Sequence, residues 1–429
     1  MHGRMVWLAA LGIFGTLAAH AGELPRPNRD KPVDYIAWMN KGFSSGITHN
    51  AADDYLAAAA LLPPCEPPRK YPEVGDPDAW SESDRARLQT LVDENEKALK
   101  RFAEAARGDR CYFTLASDSG GLIDVMLPEL ADLRYLARLT ALRAELRLWA
   151  GDLDGALQDV DTVLRAAHHM FTQPMTIQYL VGLSILKPAY DVLLSERLLA
   201  ARGFDAHRAL SLLEKCDPKI PPPHRQFTLE KIMAWDVAQR CLRDNDSDGR
   251  FDSIEFPAVT EIPPGPVFPA KTFDETVDEL TEFFDGLRAL CDPDYQNARK
   301  AVAELQERIR ATKGSLLSIL GPSLGRVALL YRRAWATRNA VRVVLLLHAY
   351  RGTHGQWPET LLKALPADAA EYVIDPFANQ PLCYRLKDGA PLLYSVSDNG
   401  TDDGGACYRK DGEVKWNESK DFVFWPPQK

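Results

Sequence analysis

The sequence predicts a mainly α-helical protein: a helical-hairpin array followed by a small C-terminal α+β module with an antiparallel hairpin. Three observations carry this. From Pro128 to Cys216 almost every segment has the 3.6-residue apolar spacing of helices. Pro257, Pro263, Pro264, Pro266 and Pro269 then interrupt the chain. Beyond about Ala340 the texture turns to short alternating runs bounded by Gly and Asp, the signature of strands and tight turns.

The 429 residues suffice for more than one core, and 46% hydrophobic with 26% charged content is ordinary for globular chains. A net charge of −9 implies no basic surface, so nucleic acid is not expected as a partner. Residues 1–21 read as a cleaved secretory leader: His2 and Arg4 precede an apolar run from Met5 to Ala19, and Ala19-His20-Ala21 supplies small residues at the cleavage site. The expected location is exported: periplasm, cell envelope or outside the cell. No later stretch is apolar enough to span a bilayer, so no integral membrane segment remains after cleavage. Seven cysteines leave one thiol unpaired at least, and Cys383 with Cys407 is the first pairing to expect.

In order, Val33–Met39 and Ala51–Leu62 read as short helices, and Ser81–Ala106 as one long helix capped by Ser81 or Ser83. Residues 136–170 form an antiparallel pair about Gly151-Asp152, with Ala144, Leu148, Ala156, Leu157, Val160 and Leu164 inward. This pair resembles a single tetratricopeptide unit. A second pair is expected about Gly203-Phe204-Asp205. Helical scaffolds of this kind present a surface to protein partners. The domain reading is a helical domain over 22–256, a Pro-rich linker over 257–271, a helical region over 272–339 opened by the Thr272/Glu275 capping box, and a module over 340–429.

The most specific stretch is Asp244–Glu255. Side-chain oxygens fall at loop positions 1, 3, 5 and 9 (Asp244, Asp246, Asp248, Asp252), with Gly249 at 6 and Glu255 at 12. Ca²⁺ takes six to eight oxygens in flexible geometry, so the expected ligands are these carboxylates, both oxygens of Glu255 and the Arg250 carbonyl. The loop resembles the EF-hand calcium loop, entered by a helix over Thr228–Arg243. It departs from that family at the exit, where Phe256-Pro257 allows no second helix, so a solitary structural site is expected rather than an opening sensor pair.

The last ninety or so residues carry Tyr350, Gly355, Trp357-Pro358, Asp375-Pro376-Phe377, Tyr384, Tyr394-Ser395, a loop with Gly400, Asp402, Gly404 and Gly405, and Asp421 before Trp425. This order resembles the globular domain of the major pseudopilin of type II secretion. The resemblance implies a second calcium site at Asp402 and Asp421, with Asp403 nearby. The large helical region ahead of it does not fit that family, so pilus assembly is not inherited. The whole chain is also similar to uncharacterised exported bacterial proteins.

Catalytic motifs are weak. Gly321-Pro-Ser323-Leu-Gly325 matches a nucleophile elbow between an apolar run and a helix, yet only His348 and His354 lie downstream and no strand positions a triad. The adjacent His168 and His169 point about a hundred degrees apart on a helix, which disfavours a shared metal. The sequence favours a non-enzymatic, calcium-binding scaffold of the cell envelope. The rivals are an exported serine hydrolase using Ser323 and an accessory component of a secretion apparatus.

Overall fold

The computed structural model describes residues 24–426 apart from 65–70, 72–73, 218, 258–263, 313, 322–323, 367–372 and 411–412. The expected leader, Cys65 and Ser323 lie outside the described residues. The chain is mainly helical, with a small C-terminal region of antiparallel strands.

Helices α1 (Tyr35–Ser44) and α2 (Ala51–Ala60) each start on a side-chain cap, Asp34 and Asn50. The expected long helix is two: α3 (Glu82–Glu94) and α4 (Glu96–Ala106). The break falls at Asn95, buried, whose side-chain amide donates to the Leu91 carbonyl at 2.8 Å. Such local bonding offers the backbone an alternative to the helical ladder.

Helices α5 (Glu129–Trp149) and α6 (Leu153–Phe171) form the expected hairpin about Gly151-Asp152, with Asp152 capping α6. Helix α7 (Thr176–Leu193) packs on α6 so closely that a Cβ on Gly182 would lie 2.7 Å from the Phe171 ring. The second expected pair is interrupted: the short α8 (Glu196–Leu199) intervenes before α9 (Ala206–Cys216), so no tetratricopeptide period is established.

Helix α10 (His224–Cys241) leads into β1 (Leu242–Arg243), β2 (Phe251–Ile254) and β3 (Gly265–Lys271), a three-stranded antiparallel sheet in that order. The Pro-rich stretch expected as a linker thus supplies an edge strand, where proline is tolerated because no ladder N–H is required on the open side. The capping box of Thr272 and Glu275 opens α11 (Phe273–Gly286), followed by α12 (Tyr295–Ala311) and α13 (Leu316–Leu320).

Helix α14 (Leu324–His354) runs straight through the boundary expected at 340. Its segment Val341–Leu347 is buried throughout. Four of its arginines, Arg332, Arg333, Arg338 and Arg342, are buried as well. Arg332 donates to the Pro376 and Asp292 carbonyls, both at 2.6 Å, and Arg333 pairs with Asp398. No helix among the described residues is long and apolar enough to cross a membrane.

The C-terminal module adds α15 (Leu361–Ala364), the short pair β4 (Ile374–Asp375) and β5 (Gln380–Pro381), then β6 (Cys383–Lys387) and β7 (Ala390–Ser395) joined at Asp388-Gly389. After β8 (Arg409–Lys410) and β9 (Glu413–Val414), β10 (Phe422–Trp425) pairs with β7. The expected Cys383–Cys407 bridge is not formed, and both thiols are free. Burial, then the Asp402 carboxylate, push the Cys383 thiol up to about 11.

Candidate metal site

Helix α10 ends at Cys241, three residues before Asp244. Leu242 pairs with Ile254 and Arg243 with Ser253, so the acidic stretch is the turn of a β-hairpin rather than a loop between two helices. Within the turn, carboxylates take the backbone amides of the residues that follow. Asp244 accepts from the Asp248 and Gly249 N–H groups at 3.1 and 3.0 Å, and Asp248 from Arg250 N–H at 2.7 Å. Asp246 accepts from Asp248 N–H at 3.3 Å. Gly249, at φ +86°, supplies the left-handed residue that this reversal requires.

One oxygen from each of Asp244, Asp246 and Asp248 consequently lies within 4.8 Å of the others. Asp246 and Asp248 are exposed and Asp244 is half-buried. Like charges at that spacing repel by on the order of 1 kcal/mol per pair in water-like surroundings.

The other predicted ligands are not brought in. Asp252 is turned to Asn245, whose side-chain amide donates to it at 2.5 Å and whose N–H approaches at 3.4 Å. Glu255 pairs with Arg243 at 3.0 Å, and its own N–H continues the ladder to the Cys241 carbonyl at 2.8 Å. The Arg250 side chain reaches the Ala270 carbonyl at 3.2 Å and Glu275 at 3.5 Å, tying the turn to β3 and α11.

Asp402, Asp403 and Asp421 behave differently. Asp421 is fully buried and accepts from the N–H groups of Gly405 and Asp403 at 2.7 and 3.3 Å. Burial pushes its carboxyl up, against those two hydrogen bonds. Asp402 accepts from the Tyr394 hydroxyl at 2.8 Å and Gly404 N–H at 2.9 Å, which hold it below the ordinary carboxylate range. Asp403 takes the Asn399 amide at 2.8 Å. Each carboxylate thus faces donors rather than a common point. Among the described residues, the set of three or more acids, histidines or cysteines that converges is Asp244, Asp246 and Asp248.

Of the residues a hydrolase would use, Ser323 lies outside the described residues. Leu316–Leu320 is helical, so the strand that an elbow requires is missing among the described residues. His348 lies edge-on to Trp357 and Trp425, and burial pushes it down to about 4. His354 stacks on Tyr350 at 3.9 Å. His168 and His169 diverge as helix geometry demands. His169 sits between the Tyr55 hydroxyl and the Gly108 carbonyl, both at 2.9 Å.

His168 leads to a centre that residue spacing did not reveal. It meets Asp217 at 2.8 Å, and the other oxygen of this fully buried carboxylate accepts from the Tyr190 hydroxyl at 2.7 Å. Arg338 approaches the carboxylate at 3.5 Å, and Arg338 and Arg342 both donate to the Asp217 carbonyl at 2.8–3.1 Å. Burial alone would raise the Asp217 carboxyl; His168, Arg338 and Tyr190 outweigh it and hold it below the ordinary range. With every oxygen engaged, the centre joins α6, α7, α9 and α14 rather than offering a free acid. A separate surface cleft of about 460 Å³ lies between α9 and α14, with His207, Ser211 and Glu214 on one wall and Tyr350 and Thr353 on the other.

No protein-family model matches the chain, and no curated protein or solved structure is significantly similar to it.

Proposed function

We propose that this chain is an exported, non-enzymatic calcium-binding protein of the cell envelope, with one structural site at the turn that follows α10. The observation that carries the reading is the convergence of Asp244, Asp246 and Asp248 on the left-handed Gly249 turn. A bound divalent cation would offset three mutually repelling charges and tie the turn to β3 and α11 through Arg250.

Three carboxylates fall short of six to eight oxygens. In this reading the Arg250 carbonyl, Asp252 and Glu255 complete the set as the ion binds. The Arg243–Glu255 pair that must yield is exposed on both sides, and such pairs hold by no more than about 1 kcal/mol. Asp402, Asp403 and Asp421 are the reserve site, to be invoked only if binding survives loss of the first. The helical surface is the part assigned to protein partners.

Thermal unfolding of the mature chain, with excess chelator and with millimolar CaCl₂, tests the reading beside an Asp244→Ala, Asp248→Ala double variant. At a hundredfold excess over Kd, one site adds about 2.7 kcal/mol. A calcium-dependent rise in midpoint that the variant loses supports the assignment. No rise in the wild-type chain overturns it. Fractionation of the producing cells tests export: a chain found wholly in the cytoplasm contradicts it.

A further inference from the structure

Glu145, in the last two turns of α5, is 7% exposed. Among the described residues, the cation paired with it is Arg197 of α8, whose Nη1 lies 3.3 Å from Oε2. That guanidinium is shared. Its Nη2 donates to Asp78 Oδ1 at 2.7 Å and to the Pro77 carbonyl at 3.2 Å, both in the 3-10 turn Pro77–Ala79. The same guanidinium covers the Trp149 ring at 4.1 Å, and Arg85 of α3 covers that ring at 4.1 Å as well.

The remaining charges around Glu145 do not relieve it. Asp191 of α7 repels it and is itself held by Lys187 at 2.7 Å. Arg143 and Arg147, on the same helix as Glu145, are committed to Asp159 of α6 at 2.6 and 2.8 Å. One buried carboxyl therefore competes with Asp78 for one arginine.

We propose that Glu145, Arg197 and Asp78 form a proton-operated clasp. Ionised Glu145 divides Arg197 with Asp78; a proton taken from solvent onto the Glu145 carboxyl leaves the guanidinium to Asp78 and closes the Pro77–Ala79 turn onto α8. Protonation also removes the cost of holding a charged carboxylate out of water. Burial pushes Glu145 up to about 7, with Asp78 and Asp191 adding to it against Arg197, so the change falls near neutrality.

Hydrogen exchange of the intact chain, corrected for the intrinsic pH dependence of exchange, tests the clasp in peptides covering 74–80 and 195–200. As pH falls from about 8 to about 6, wild-type protection there is expected to rise roughly fivefold, the scale of one such ion pair. Glu145→Gln, which mimics the protonated carboxyl, is expected to keep the protected level at every pH. A flat wild-type profile, or an unchanged pH dependence in Glu145→Gln, overturns the proposal. Carbon-13 titration of the Glu145 carboxyl in the wild-type chain decides the matter if that variant does not fold: a midpoint near neutrality supports the clasp, and one near the ordinary value of about 4.3 overturns it.

Discussion

Glu255, the last ligand position of the acidic turn, is held by the Arg243 guanidinium at 3.0 Å across the β1–β2 ladder. This pair competes with any ion bound at Asp244, Asp246 and Asp248. Both side chains are well exposed, so the competition amounts to less than about 1 kcal/mol. Arg243→Gln is therefore expected to tighten calcium binding by no more than about fivefold, read by titration calorimetry at fixed ionic strength. Weaker binding in that variant would show that Arg243 positions the turn instead of competing for it.

Asp217 gathers His168, Tyr190, Arg338 and Arg342 in the interior. Asp217→Ala removes the buried carboxylate that His168, Tyr190 and Arg338 face on three helices, while the Asp217 carbonyl that Arg338 and Arg342 also use remains; loss of one member of a buried pair costs about 3–5 kcal/mol. Urea unfolding should show that loss, with unchanged calcium affinity in the variant that remains folded.

The pH dependence of stability has two opposing parts. Burial pushes His169 down to about 4, well below its unfolded value of about 6.5. The unfolded chain takes up that proton first, so stability falls as pH drops from about 6.5 to about 4, by roughly 3 kcal/mol at the lower end. Glu145 is pushed up to about 7 and works the other way: its stabilising contribution is full below about 4.5 and lost as pH rises through about 7. Denaturant unfolding across this range should show His169→Gln flattening the acid limb and Glu145→Gln raising stability at neutral pH.

A fragment spanning 340–429 is expected not to fold. It omits Arg332 and Arg333, which hold the Pro376 carbonyl and Asp398, and Tyr295, which donates to the Asp398 carbonyl at 2.8 Å and packs edge-on to Phe377. Amide NMR dispersion of the fragment checks this; a well-dispersed spectrum would show that 340–429 folds by itself.

Features written in local residue chemistry were legible in the sequence. The turn at Gly151-Asp152, the Thr272/Glu275 capping box and the β6–β7 hairpin at Asp388-Gly389 each depend on residues a few positions apart. The break at Asn95 was not, because the same residue is tolerated within helices unless its side chain finds the Leu91 carbonyl. Strand β3 was hidden by its prolines, which mark loops more often than edge strands.

The candidate site was half legible. Spacing identified Asp244, Asp246 and Asp248, whose convergence is set by the turn itself. It did not reveal that Asn245 and Arg243 would claim Asp252 and Glu255, since the β1–β2 pairing decides those partners. The partners of Asp217 lie up to 125 positions from it in sequence, and the centre has no local signature.

The most direct measurement is calorimetric titration of CaCl₂ into chelator-stripped mature protein and its Asp244→Ala, Asp248→Ala variant. One calcium bound per chain, abolished in the variant, is the predicted result. Absence of binding by the wild-type chain, or full binding by a folded variant, would contradict a calcium site at this turn.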